Sequence, residues 1–375
     1  MRISPITTAS DQGVHRVCAD VEGEPLWFES ADVALSPSPE AFASAMLIPA
    51  IARGETLILE DSLSAAWLSN ISRILPVFRE WWDYPEAAPQ PAGVTRDNAT
   101  RMESTALCFS GGVDSFYTLL RSGYAIDYLV FVIGFDMGMD DVARAAAFES
   151  ALRAVAAEAG ARPVVVRSNI RKHPVFESVS WEHTHGGAMA AVGHLLSGAA
   201  GQLLISSSRS RDDRAPWGSH WMIDEFWSSE RLRVVHIGAE LKRRQKLPRI
   251  AAEPLVRNHL RVCWENHAPA GNCSRCEKCV RTRLALLDCG ELANFPVFEG
   301  EESLARHIDA LPPLRNKLLI HRRLVNQDNI SPEIRQALRG LIERTDRAKF
   351  RAESAGQNIL GRIWSRRWQW INRDR

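Results

Sequence analysis

No stretch of the 375 residues approaches the roughly 18 uninterrupted apolar residues of a membrane span. The opening Met1-Arg2-Ile3-Ser4-Pro5 has no apolar run behind its basic residue, so no secretory leader is expected and the chain reads as cytoplasmic. An excess of one charge is missing as well: 46 basic and 45 acidic side chains leave a formal charge of +1. With no bulk field, neither nucleic acid nor an anionic membrane is an expected partner, and any such contact would be a local patch. Internal repeats are lacking, which excludes solenoids and propellers. So is the Gly-x-x-x-x-Gly-Lys-Ser/Thr signature of common γ-phosphate-transferring enzymes.

What is present suits a globular chain with more than one structural unit: 45% hydrophobic and 24% charged residues. Residues 1–93 read as a small α+β unit. A hairpin is expected around Glu22-Gly23, a strand at Thr56-Leu57-Ile58-Leu59, and then a helix capped by Asp61 or Ser62 and disturbed by Pro76. The proline-rich residues 85–93 read as a linker. From Thr105 strands alternate with helices, the pattern of a parallel sheet covered on both faces. The expected strands are 106–109, 128–133, 163–166, 203–206 and 234–237, with helices at 142–159 and 187–196. A domain over 94–295 is thus expected, followed by a separate helical region over 296–375.

The apolar run Leu107-Cys108-Phe109 is followed by Ser110-Gly111-Gly112-Val113-Asp114-Ser115 and then by Phe116-Tyr117-Thr118-Leu119-Leu120. Strand, glycine loop and helix in that order aim free backbone N–H groups and the positive end of a helix dipole at an anion. Ser110 and Ser115 add hydroxyl donors. Asp114 would repel bare phosphate, so its presence implies Mg²⁺. The plainer reading is a glycine turn between a strand and a helix.

The loop resembles the Ser-Gly-Gly-x-Asp-Ser signature of the PP-loop, or N-type ATP pyrophosphatase, superfamily. That resemblance implies a parallel α/β domain of the HUP-like kind, in which the loop grips the β and γ phosphates while a substrate oxygen attacks the α phosphorus. It implies ATP contacts at Ser110, Gly111, Gly112, Val113, Asp114 and Ser115, with Ser110, Asp114 and Ser115 in catalysis. The same resemblance places adenine on the backbone of Ile133 and Gly134, near Asp136. At the carboxyl edge of the fourth expected strand, Ser206 opens a hydroxyl- and arginine-rich segment ending at Arg214, suited to nucleotide or to an anionic acceptor.

Of 7 cysteines, four are clustered: Cys263, Cys273, Cys276 and Cys279, spaced C-x9-C-x2-C-x2-C. Four thiolates close a tetrahedral Zn²⁺ site with no open position, which makes such a site structural. The same ligand set suits an iron–sulfur cluster, which stays open as the alternative. Lys278, Arg275 and Arg281 are the expected offsets to its negative charge. The segment is similar to the C-terminal zinc motif of 7-cyano-7-deazaguanine synthases, themselves PP-loop enzymes, in which an arginine follows, as Arg281 or Arg283 does here. The likeness runs from about Thr105 to Leu287 and leaves the first hundred residues and the tail uncovered.

Other segments carry two readings each. His183-Thr184-His185-Gly186-Gly187 is expected just ahead of a helix, as a ligand-contacting terminus or a capping turn. The aromatic stretch from Trp217 to Trp227 either stacks on a planar substrate or plugs the core. Lys242, Arg243, Arg244 and Lys246 read as a solvated helix face, from which one lysine could reach the α phosphate. Trp364, Trp368 and Trp370 among arginines read as an amphipathic helix packed on its own chain or on a twin subunit in a homodimer.

The leading expectation is an ATP-dependent ligase forming AMP and pyrophosphate through an adenylated small-molecule carboxylate, which ammonia or an amine then attacks. Two others compete. tRNA thiolation needs a reactive cysteine and a basic face; a nucleotide-sensing module needs only the loop.

Overall fold

The computed structural model describes residues 1–96, 100–265, 271–314, 318–327 and 330–354, the last stretch as backbone only beyond 350. The tryptophan-rich tail singled out above lies outside the described residues.

Two compact units part between Lys246 and Leu247; the first holds 1–110 and 114–246, the second 111–113 and 247–375. In the first, β1 (Arg2–Ile3), β2 (Thr7–Asp11), β3 (Val14–Val21) and β4 (Glu24–Ser30) precede α1 (Pro39–Ala52). Then come β5 (Ile58–Ser64), α2 (Ala65–Trp82), β6 (Gln90–Thr95), β7 (Thr105–Cys108), α3 (Val113–Arg121), β8 (Tyr128–Ile133) and α4 (Val142–Ala159). β9 (Arg162–Ser168), the single turn α5 (Pro174–Glu177), α6 (Trp181–Leu195), β10 (Gln202–Ser206) and β11 (Arg233–Ile237) follow, and α7 (Arg243–Ile250) carries the chain into the second unit.

One sheet contains all eleven strands, in the order β11-β10-β7-β8-β9-β4-β3-β1-β5-β6 with β2 on β3. β11, β10, β7, β8 and β9 are mutually parallel. Their apolar runs are the sequence's clearest signal, because strands covered on both faces have no polar face to alternate with. β8, Tyr-Leu-Val-Phe-Val-Ile, is buried at five of its six positions. The chain moves outward from β7 to β8 and β9, then returns to the other side of β7 with β10. That reversal is a topological switch point, where the carboxyl ends of β7 and β10 diverge and ligands of open sheets collect.

The first 93 residues do not form a sheet of their own. β4 pairs antiparallel with β9, Phe28 opposite Ser168 and Glu29 opposite Arg167, and so continues the parallel sheet. One core joins Phe28, Phe42 and Trp67 to Val166, Leu203 and Val234. The expected linker is in part strand β6, paired with β5; an edge strand accommodates Pro91 because one side of its backbone needs no partner. The hairpin at Glu22-Gly23 is present, both residues having the positive φ (57° and 89°) of a primed turn.

α2 starts later than expected, because β5 runs on to Ser64, and it passes through Pro76 to Trp82. Its cap is Ser64, whose Oγ accepts from the Trp67 backbone N–H at 3.0 Å. Ser64→Ala is expected to lower stability by about 1 kcal/mol in urea titration; an unchanged midpoint would remove the cap from the account. α6 also differs: it is capped at Ser180, so His183 and His185 lie inside the helix. Gly187 is required there, since a Cβ would stand 2.3 Å from the Ser44 carbonyl oxygen of α1.

The second unit contains α8 (Pro254–His259), α9 (Glu277–Asp288), α10 (Leu304–Ala310), α11 (Leu319–Leu324) and α12 (Pro332–Ser354). α12 packs on α10 and α11, and α11 also on α9. Among the described residues no strand follows Ile237, as the helical reading of the C-terminal region requires. No helix among them is long and apolar enough to cross a membrane.

Candidate functional site

Ser110 directly follows the buried Phe109, and α3 begins at Val113, so the glycine loop joins the carboxyl end of β7 to a helix N-terminus. Ser110 Oγ and Ser115 Oγ are 3.5 Å apart, Ser115 being buried. Within the second unit, the Arg261 backbone N–H donates to the Gly111 carbonyl at 2.8 Å.

Asp114 is held differently from the expectation of a magnesium ligand. One carboxylate oxygen accepts from Arg243 Nε at 2.9 Å and from Arg243 Nη2; the other accepts from Lys246 Nζ at 3.1 Å. Both oxygens are therefore engaged by cations of α7. Burial alone would raise the Asp114 carboxyl, yet Arg243 and then Lys246 outweigh it and hold the group below the usual carboxylate range. Lys246 is 1% exposed and also donates to the Ser207 carbonyl at 2.6 Å, at the end of β10. The basic run is thus not a solvated face throughout. Arg243 and Lys246, three apart, share one side of α7, and that spacing was the available signal.

The other positions expected to contact nucleotide have local partners. Ile133 closes β8 opposite Arg167 and is fully buried. Gly134, at φ 107°, sits where a Cβ would be 2.0 Å from the Ser168 carbonyl oxygen, so close strand packing already demands glycine there. Asp136 accepts from Trp181 Nε1 at 3.1 Å. Ser206 Oγ donates to Thr118 Oγ1 at 2.8 Å, fastening β10 to α3. Arg209 pairs with Asp213 at 3.0 Å and lies over the Trp217 ring.

In the aromatic stretch, Ile223 and Trp227 are fully buried core residues, whereas Trp217 and Trp221 stay half-buried under Arg209 and Arg211. Sequence reasoning missed Asp224 altogether. This buried carboxylate accepts from Ser219 Oγ at 2.6 Å, from His236 Nδ1 at 2.7 Å and from the His220 backbone N–H at 3.1 Å. His183 stacks on Trp82 with ring centroids 4.2 Å apart, and its Nδ1 lies 2.7 Å from the Tyr84 hydroxyl.

Burial lowers the pKa of His183, His185 and His194. A depressed folded-state value means that the unfolded chain binds more protons below about pH 6.5. Stability is therefore expected to fall as pH drops from about 6.5 toward the folded-state values, and His194→Gln should flatten that fall in thermal melts. An equally steep loss in the variant would take His194 out of the linkage.

In the second unit the four clustered cysteines do converge. Their Sγ atoms all lie within 4.8 Å of one another, with Cys263 to Cys276 at 4.0 Å and Cys273 to Cys279 at 3.9 Å. Sulfurs at the corners of a tetrahedron around one ion at about 2.3 Å would be roughly 3.8 Å apart. The local fold is a tight knuckle: the Cys276 backbone N–H donates to Cys273 Sγ at 3.3 Å, Ser274 has φ 59°, and Cys279 sits in the first turn of α9. Asn272 Oδ1 accepts from the backbone N–H groups of Val262 and Cys263, fixing the distant fourth cysteine to the other three. Contacts from Cys276 and then Cys279 hold the Cys263 thiol low, while the contact with Cys263 pushes Cys276 up to about 12. More than one thiolate in this space calls for a cation among the sulfurs, so the residues fit a metal ion.

No protein-family model matches the chain, and no curated protein or solved structure is found to be similar to it.

Proposed function

We propose that this chain is an ATP-dependent ligase that forms AMP and pyrophosphate, adenylating a small-molecule carboxylate or carbonyl oxygen in the manner of the PP-loop enzymes its motifs resemble. The observation that carries this reading is the placement of Ser110–Ser115 at the carboxyl end of β7, at the switch point beside β10, with Lys246 and Arg243 of α7 drawn to the loop's own Asp114. Nucleotide phosphates entering there would meet helix N–H groups and two cations, with Mg²⁺ arriving on the phosphates. Rate would come from alignment and from neutralising charge on departing pyrophosphate. In the second unit, a single Zn²⁺ on Cys263, Cys273, Cys276 and Cys279 would serve the fold; an iron–sulfur cluster interposes several atoms between its cysteines and suits the short sulfur spacing less well.

The thiolation alternative is disfavoured by Cys108, the cysteine nearest the loop in sequence. Burial, and then the charge of Asp224, push its thiol up to about 12, far from a nucleophile poised at neutral pH. The deciding experiment supplies the purified chain with ATP, Mg²⁺, ammonium and pooled small carboxylic acids. AMP and pyrophosphate are expected; ADP and phosphate would sink the adenylation reading, and ATP binding without any turnover would favour the sensing module. In gel-shift titration at physiological salt no RNA binding at micromolar concentration is expected. Tight, salt-sensitive binding would revive thiolation.

A further inference from the structure

Among the described residues of the second unit, Arg283 is the largest charged side chain with no solvent exposure, and no carboxylate forms a salt bridge with it. It lies on α9 one turn beyond Cys279. Nη1 donates to the Ser274 carbonyl and to His307 Nδ1, both at 2.9 Å; Nη2 donates to Ser303 Oγ at 2.8 Å and to the Gly300 carbonyl. None of the four acceptors is a carboxylate, and burial lowers the pKa of His307. Nε is buried and, among the described residues, has no hydrogen-bond partner. Glu299 is half exposed and sits 3.8 Å from His307 Nε2 and 3.9 Å from Arg306.

A guanidinium cannot be deprotonated, and a buried charge without compensation is costly. Burial works against the charge, while the fields of Glu299, then Glu302 and then Cys279 favour it; four thiolates around one divalent ion keep a net negative charge that adds to theirs. Two of the cations expected for this task are engaged or turned to solvent. Arg281 pairs with Glu277 at 3.4 Å and Arg275 is exposed.

We propose that Arg283 is the counter-cation and positioning residue of the four-cysteine metal centre, balancing its thiolate charge while clamping the Ser274 carbonyl of the knuckle. The inference rests on the metal reading above. Ser274 is the residue that gains most from a clamp, because its φ of 59° is disfavoured for a side chain with a Cβ. Its Oγ accepts from the Glu299 backbone N–H at 2.9 Å, so the knuckle is tied down from two sides.

The test compares zinc-loaded full-length wild type, Arg283→Met, Arg283→Lys and a core control, Leu338→Ala, which removes buried apolar atoms of the same unit. Zinc release to a chelator should accelerate roughly 10- to 100-fold in Arg283→Met, with partial rescue in Arg283→Lys, which restores charge without the fork. In the cobalt-substituted proteins the thiolate-to-metal absorption band should move to lower energy in Arg283→Met and less in Arg283→Lys, because the sulfurs lose a neighbouring positive charge. Leu338→Ala should lose stability yet keep the wild-type release rate and band. A folded Arg283→Met with wild-type release and band overturns the proposal. If Arg283→Met yields no folded chain, Arg283→Lys decides: faster release with a shifted band supports the role, and wild-type behaviour overturns it. A wild type that binds neither zinc nor cobalt would overturn the metal reading itself, whereas metal held equally by every variant overturns only the role of Arg283.

Discussion

Cys276→Ser is expected to strip the metal from the second unit and to lower its thermal stability sharply, both at once. Cys276 is 3% exposed, stands 4.0 Å from Cys263 and immediately precedes α9, so its sulfur links the distant Cys263 segment to the helix that carries Cys279. At such a site metal binding free energy is folding free energy, on the order of 10 kcal/mol for a complete zinc–thiolate set, and a missing ligand forfeits a large part of it. Elemental analysis alongside thermal melts checks the prediction. Full zinc occupancy in the variant would exclude Cys276 as a ligand. Iron with inorganic sulfide in anaerobically prepared wild type would replace the single ion by a cluster.

The contrast between what this sequence discloses and what it hides follows from the range of the interactions. β8 and α4 were legible to the residue, the first from an apolar run buried on both faces, the second from an alanine-rich stretch. The cysteine tetrad was legible because three of its members are close in sequence. By contrast, β4 joins β9 across more than a hundred residues, and nothing local in the hairpin announces that partner. Lys246 looked like one charge in a solvated run because Asp114, the group that keeps it buried, is 132 residues away. The histidines of α6 were misplaced by a single feature, a cap at Ser180 in place of the glycine pair. Asp224 gave no signal, since Ser219 and His220 look like ordinary loop neighbours until His236 of β11 is brought against the same carboxylate.

That buried pairing changes what Asp114→Asn should do. If the carboxylate were a solvated magnesium ligand, the substitution would leave folding intact. In this structure it leaves Lys246, 1% exposed, without its anionic partner, while Arg243, 41% exposed at its side chain, can turn to water. Breaking a buried pair by removing one partner costs about 3–5 kcal/mol, because the remaining charge stays desolvated. Asp114→Asn is therefore expected to lower the denaturation midpoint markedly. Adding Lys246→Met should recover most of the loss, since neutralising both members of a buried pair is often close to neutral for stability. ATP binding should separate structure from function. Lys246→Met, alone or in the double variant, is expected to weaken ATP binding in calorimetry by roughly 10- to 100-fold, the worth of one hydrogen bond to a charged group. A single Asp114→Asn variant that melts with the wild type would show that Lys246 does not depend on this carboxylate. A double variant that regains stability and also binds ATP as the wild type does would remove Lys246 from the nucleotide site.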